Sequence, residues 1–163
     1  MELIRVIAWL VGALVVPAPA QEPRGNPIAS EMLGAHNAVR ARAGVPPLTW
    51  SKGLESAARQ WAESLLAKGT FRHRPQSNFG ENLFEIRGAR ADATRVVRSW
   101  AAEADDFNLA TNSCRGDAVC GHYTQMVWRD TRQIGCAVAR GGRREVWVCN
   151  YSPPGNVIGG RPY

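Results

Sequence analysis

The side chains of this chain best suited to bind a metal or exchange protons near neutral pH are three histidines, His36, His73 and His122. A neutral imidazole ligates Zn²⁺ and similar metals, and a neighbouring carboxylate can complete the shell or orient the ring. The same pairing passes protons, because a carboxylate holds a histidine charged near neutral pH. The patterns that announce a hydrolase are absent: there is no HExxH zinc helix and no GxSxG nucleophile elbow. A hydroxyl such as Thr124 or Ser77 would need a base and an oxyanion hole that the sequence does not locate. The sequence therefore does not point to an enzyme.

Four cysteines, Cys114, Cys120, Cys136 and Cys149, are the other reactive set. Arg5, the apolar run at residues 7–16 and the Ala18-Pro19-Ala20 triplet together read as a signal peptide cleaved after Ala20. That run is too short to span a bilayer. Export and an even cysteine count favour disulfides. Of the three pairings, Cys114 with Cys120 and Cys136 with Cys149 close the shortest loops and are favoured. The longer of these loops would stabilise the fold by about 3 kcal/mol. A zinc-binding cysteine set is the rival reading, without CxxC spacing to support it. Bridged cysteines leave no thiol nucleophile.

The formal net charge is +6 and the pI about 9.7, with 18 of the 20 basic residues arginine. Such a balance suits anionic surfaces such as cell walls, acidic lipids or polysaccharides, although a merely solvated basic surface accounts for it as well. No nucleic-acid recognition motif is present, and no nucleic-acid partner is expected.

The elements that must position these groups follow from spacing. Residues 21–29 are rich in breakers and read as a flexible lead-in. A first helix is predicted over residues 30–43, with Ser30 as N-cap and Gly44 ending it. A second covers residues 51–68, where Leu54, Ala58, Trp61 and Leu65 recur on one face. Residues 70–80 read as irregular, and a short strand is predicted over residues 82–87. Asp92 can cap a third helix reaching Phe107, with Val96, Val97, Trp100, Ala104 and Phe107 inward. A loop then runs over residues 108–121, followed by a helical turn at residues 124–128. Residues 133–140 and 145–151 read as a β-hairpin around a loop at residues 141–144, which sets Cys136 opposite Cys149. The tail from Ser152 is extended. Helices followed by late antiparallel strands indicate one α+β domain.

Four segments carry a family resemblance. GHYTQMVWRDT (residues 121–131) and VWVCNYSPPGNV (residues 146–157) resemble the two signatures of the CAP family, the cysteine-rich secretory, antigen-five and pathogenesis-related proteins. HNAVR (residues 36–40) and GEN (residues 80–82) are similar to two shorter motifs of the family, in the expected order. The resemblance spans residues 30–163, is closest to the plant pathogenesis-related type, and implies a three-layer α-β-α sandwich with a central antiparallel sheet.

It also implies a cleft of two histidines and two acids, which by motif are His73, Glu81, Glu103 and His122. These four are candidate ligands for Zn²⁺ or another divalent cation, candidate proton carriers, or a hydrogen-bonded network tying helices to sheet. His36, with Asn37 and Arg40, reads as structural, one turn into the first helix. Plant members typically carry a third disulfide. Its cysteines would fall within residues 68–71 and near Arg140, and are missing here. The end of the chain, CNYSPPGNVIGGRPY, resembles the plant pattern from which a C-terminal signalling peptide, here residues 153–163, can be released.

The function implied is that of a secreted module, extracellular or periplasmic and monomeric. It would bind a sterol, another lipid or a cell-surface partner, and would not be an integral membrane protein once its leader is removed. A metal-dependent hydrolase (a peptidase) built on the four cleft residues and a precursor of the tail peptide are the alternatives.

Overall fold

The computed structural model describes residues 26–163, so the expected leader and most of the lead-in lie outside the described residues. Helix α1 spans Pro27–Arg42 and begins three residues earlier than the spacing predicts. The reason is local. Pro27 occupies the first helical turn, where its missing N–H costs nothing, and the Asn26 side chain accepts from Ile28 N. Residues 26–29 therefore belong to the cap and first turn of α1, and Ser30 is not its N-cap.

Strand β1, Thr49–Trp50, follows the Pro46-Pro47 break and leads to α2, Lys52–Ala67, capped by Ser51. Leu54, Ala58 and Leu65 face inward as expected. Ala62 completes that face, whereas Trp61 is only half-buried beneath the Arg74 guanidinium. Strand β2 is Gly80–Arg87. Helix α3, Ala93–Ala101, is capped by Asp92 and stops short of Phe107. Glu103, Asp105 and Asp106 oppose the negative end of the helix dipole, and residues 102–106 tighten into a 3₁₀ turn. Strands β3 (Phe107–Asn108) and β4 (Ser113–Cys114) form a small ladder within the expected loop. Helix α4 is Gly121–Met126, three residues ahead of the predicted turn.

Strands β5 (Gln133–Gly141) and β6 (Arg144–Ser152) form the hairpin, closed by Gly142 and Arg143 alone. The main sheet has the order β1-β5-β6-β2. Its three long strands are antiparallel, but β1 joins β5 in parallel, so the sheet is mixed rather than wholly antiparallel. The exception is two residues long: Thr49 and Trp50 lie beside Gln133 and Ile134 where the chain enters α2.

The apolar run in β6 is buried on both faces, as a central strand between two helical layers must be. Trp147, Cys149 and Tyr151 join a core with Met32 and Val39 of α1, Val96, Val97 and Trp100 of α3, and Met126 of α4. The alternate residues Val146 and Val148 join a second core with Ala58, Ala62 and Leu65 of α2. Two cores on opposite faces of one sheet make the three-layer α-β-α sandwich. The α2 layer lies very close: a Cβ added at Gly135 would sit 2.2 Å from Glu55 N.

Both disulfides have the local pairing, Cys114–Cys120 and Cys136–Cys149. At the place of the missing third bridge, Arg144 donates to Thr70 O at 2.6 Å and to Leu65 O at 3.0 Å, while holding Glu85. A guanidinium fork thus ties the sheet to the end of α2, where resemblance expects a covalent link.

Candidate metal and ligand cleft

Glu81, the second residue of β2, is anchored opposite Asn150 in β6, and its side chain is only 5% exposed. Its Oε1 accepts from His73 Nδ1 at 2.8 Å and from Arg74 N at 3.1 Å. This carboxylate oxygen fixes the middle of the irregular 70–79 segment, which Arg144 also holds at Thr70 O and which Arg74 ties to Ala57 O. Glu81 Oε2 is buried and has no hydrogen-bond partner among the described residues. His73 itself is 66% exposed.

The second pair is built at the mouth of α4. Glu103, delivered by the 3₁₀ turn, accepts from His122 N at 2.9 Å and Tyr123 N at 3.1 Å through Oε2. Its Oε1 accepts from His122 Nδ1 at 2.5 Å. The carboxylate therefore satisfies two orphan N–H groups of the helix and orients the imidazole in one contact. The indole of Trp100 stacks on the His122 ring at 5.9 Å and 13°, and is fixed in turn by Trp100 Nε1 donating to Leu83 O.

His73, Glu81 and His122 line one open cleft of about 420 Å³, together with Arg74, Asn82, Gln125 and Asn156. Glu103 stands behind His122 rather than on the wall. Among the described residues no three His, Cys, Asp or Glu side chains converge as ligands, because each carboxylate is turned onto its own imidazole. What remains for a ligand is the Nε2 edge of two imidazoles, in a cleft whose wall mixes polar groups with Phe79 and Val119.

His36 lies outside the cleft and is wholly buried. Its Nδ1 donates to Met32 O at 2.8 Å, so Nε2 is the acceptor for Tyr151 Oη at 2.9 Å. Asn82 Nδ2 donates both to Tyr151 Oη and to His122 O. A buried chain of hydrogen bonds therefore connects α1 to the cleft helix. Asn37 clamps Leu48 in both directions, and Arg40 reaches the carbonyls that follow α4. The reading of His36, Asn37 and Arg40 as a structural motif agrees with these contacts.

Two cleft residues escaped the sequence reading. Asn82 directly follows Glu81, and Gln125 lies three residues after His122, on the same face of α4. That i, i+3 spacing was the available signal. Gln125 receives Gly155 N and donates to Thr131, pinning the tail to α4. Gly80 leaves room for this amide: a Cβ there would come within 2.0 Å of Gln125 Oε1 and would push it off its partners. Neither proposed hydroxyl nucleophile touches an imidazole among the described residues: Ser77 bonds Phe79, and Thr124 bonds Cys120 O and Asn156.

The hydrogen bond from Glu81 raises the pKa of His73 above its ordinary value, against a smaller opposing effect of burial. In NMR titration of the metal-free protein, the His73 ring protons should have a midpoint above about 6.5, falling back toward it in Glu81→Gln. An unchanged midpoint in that variant would show that the pair does not form in solution.

Comparison with known proteins places this geometry. The family model for CAP, the cysteine-rich secretory protein family, matches residues 33–151. The chain is 42% identical to the pathogenesis-related protein PR-1 type of Sambucus nigra, over 82% of this chain and 80% of that one. It is 39% identical to pathogenesis-related protein 1 of Arabidopsis thaliana, over 99% and 96% of the two chains. Among solved structures, Schistosoma mansoni venom allergen-like protein 4 superposes with a TM-score of 0.68 at 27% identity, covering 85% of this chain and 94% of that one. NaASP2, solved with Zn²⁺, gives 0.70 at 22% identity, covering 86% and 88%, a likeness of fold. The signatures, the two-core sandwich, the family match and these relatives agree: the chain belongs to the CAP family of cysteine-rich secretory proteins.

Proposed function

We propose that this chain is an exported, monomeric binding module, extracellular or periplasmic, whose cleft takes a divalent cation between His73 and His122, with Zn²⁺ the first to try. The observation that carries the reading is the treatment of the two imidazoles. Each gives its Nδ1 to a carboxylate, which fixes the tautomer and the orientation of the ring and leaves Nε2 free as a ligand atom. The unpartnered, buried Glu81 Oε2 in the same wall adds support, since such an atom is costly to leave without a cation or water. Two protein nitrogens with water completing the shell make an open, exchangeable site. A bound cation would supply a point of attachment for an anionic or carbonyl group of a partner. Its two disulfides suit an oxidising compartment, and among the described residues no helix is long and apolar enough to cross a membrane.

Isothermal titration with Zn²⁺ at pH 7.5 should give one site per chain. His73→Ala or His122→Ala should abolish it, and Glu103→Gln should weaken it about tenfold or more. Wild-type protein that takes up no zinc at micromolar concentration overturns the reading.

The other readings have less to rest on. A sterol or other lipid needs an apolar cavity, whereas this cleft is lined largely by polar side chains, and the groove beside Trp128 and Val157 is only about 260 Å³. A metal-dependent hydrolase built on His73, Glu81, Glu103 and His122 would need a third protein ligand or a general base beside the cation, and among the described residues both carboxylates are engaged by their own imidazoles. Release of residues 153–163 meets a docked tail. Arg129 N donates to Pro162 O, Tyr163 and Tyr123 share a hydrogen bond, and Thr131 Oγ1 donates to Pro153 O. Ser152 still pairs with Gln133, so a protease needs the end of β6 to come away first.

A further inference from the structure

At the far end of β2 from the cleft, the register collects cations. Arg87 is the direct partner of Arg144 across the β2–β6 ladder, and Gly88 N bonds Arg143 O in the hairpin turn. Arg90 and Arg140 converge on Glu145 from two sides. Five arginines thus meet two acids, Glu85 and Glu145, leaving a surplus of three positive charges.

The acids organise this cluster from beneath. Glu145 is 1% exposed and collects Arg90, Arg140, Ala91 N and Trp147 Nε1. Burial alone would raise its pKa, but those donors outweigh it and hold the carboxyl down at about 2. Glu85 holds Arg87 and Arg144 in the same way. Arg87 and Arg90 keep about two-thirds of their side chains in water, and Arg143 makes no side-chain hydrogen bond among the described residues. Their outward N–H groups are therefore partly oriented but unused.

Between them runs a groove. One hollow of about 160 Å³ is lined by Gly88, Arg90, Gly142, Arg143, Arg144 and Glu145, and an adjoining one of about 390 Å³ by Arg87, Gly88, Arg143 and Arg144. They share Gly88, Arg143 and Arg144, so they form one continuous channel. Gly88 and Gly142 both have positive φ; the space over Gly142 is open, while an Arg143 guanidinium nitrogen lies 3.2 Å from where a Cβ on Gly88 would sit.

We propose that this channel is a docking site for a strand of a carboxylated polysaccharide, a polymer with an anion on successive sugars. Planar guanidinium forks match carboxylates, and several at strand spacing match a repeating anion better than a single small one. A membrane surface fits less well, because none of the exposed large hydrophobic residues, Phe71, Leu109, Val119, Val157 and Ile158, lines the channel to enter a bilayer. Nucleic acid would want an exposed aromatic platform, and Trp147 here is buried. The eight residues of β2 set the channel roughly 23 Å from the cleft, so a tethered molecule keeps its His73–His122 face free. The site shares no residue with the proposed cation cleft, and either can fail without the other.

The probe is polygalacturonate, with its fully methyl-esterified form as neutral control and phosphatidylserine vesicles as the alternative surface. Binding of the intact chain should be salt-sensitive and confined to the charged polymer. Arg87→Gln/Arg143→Gln should weaken it at least tenfold. Arg42→Gln/Arg59→Gln, which removes equal charge from α1 and α2, should change it less than threefold. Arg143→Gln alone breaks no side-chain hydrogen bond among the described residues and guards against a folding artefact; it should weaken binding about threefold or more. Equal losses from the two double variants would mean diffuse charge and overturn the proposal. So would equal binding to the esterified polymer, or binding to vesicles without binding to polygalacturonate.

Discussion

Arg40→Leu is expected to remove about 4 kcal/mol or more of stability, enough to leave a domain of ordinary stability largely unfolded. Arg40 is wholly buried, yet no carboxylate pairs with it among the described residues. Its guanidinium instead gathers carbonyls: Nε donates to Pro46 O at 2.7 Å, Nη1 to Met126 O at 2.8 Å and Trp128 O at 2.9 Å, and Nη2 to Thr131 O at 3.1 Å. Those oxygens belong to the turn after α1, the last residue of α4 and the irregular stretch that follows it, none of which satisfies them by secondary structure. Burial, followed by the charge of Arg132, lowers the pKa of Arg40 to about 10, which still leaves it charged at neutral pH. Leucine would deprive three buried acceptors of this donor at roughly 1–3 kcal/mol each, and the part-buried Pro46 O at less because water can reach it. Lysine restores the charge but not the planar fork, so Arg40→Lys should recover only part of the loss. Urea unfolding at pH 7 checks both, and a Leu variant within about 1 kcal/mol of wild type would refute this account.

This dependence shows where the sequence was readable. The β-hairpin was legible because VWVCNY is apolar on both faces, and such a run belongs between two helical layers. Its loop was taken as four residues and is two. The disulfide register survived because pairing Gly141 with Arg144 extends the same ladder without shifting Cys136 from Cys149. Ser51 and Asp92 announced their helices through local hydrogen bonds, which the sequence displays directly. Pro27 did not, since a proline between breakers reads as loop until Asn26 is seen capping it.

The cleft divides along the same line. Motif resemblance brought His73, Glu81, Glu103 and His122 together, whereas local pattern alone could not. Glu103 sits in what reads as the continuation of α3, and His73 in a segment without periodicity. His73 is placed by its bond to Glu81, 8 positions away, and Glu103 by three bonds from His122 and Tyr123, 19 and 20 positions away. Asn82 and the stacked Trp100 do not show as site residues for the same reason, since their roles exist only across the sandwich, whereas Gln125 has its i, i+3 spacing from His122 as a local signal. Arg87, Arg143 and Arg144 were counted as a basic composition, and only the β2–β6 register turned them into a channel.

The hydrogen-bond chain from α1 to the cleft makes acid the condition that should damage the fold most. Burial, partly offset by the bond to Met32 O, lowers the pKa of His36 to about 4 from an ordinary 6.5. A group with a depressed folded pKa gives stability that is complete above the unfolded value and is lost as pH falls toward the folded one. Between pH 6.5 and about 4 the unfolded chain therefore takes up a proton that the native chain refuses, and stability should drop by about 3 kcal/mol. His73 works in the opposite window. Its pKa is raised, so its contribution is complete below about 6.5 and is lost only as pH rises through the folded value; being two-thirds exposed, it counts for little. Glu145, held at about 2 against an ordinary 4.5, loses its contribution as pH falls from about 4.5 to about 2, and Glu85, which burial would raise but its arginines hold low, likewise acts from the ordinary carboxylate value downward. The interval from pH 6.5 to 4.5 is thus governed chiefly by His36. Urea unfolding across it should show a steep decline in wild type and a nearly flat profile in His36→Gln, which starts less stable at pH 7. A protonated His36 can no longer accept from Tyr151, and Asn82 then loses the neighbour that aims it at His122 O. Equal slopes in the two proteins would place the acid-sensitive group elsewhere and break the proposed link between α1 and the cleft.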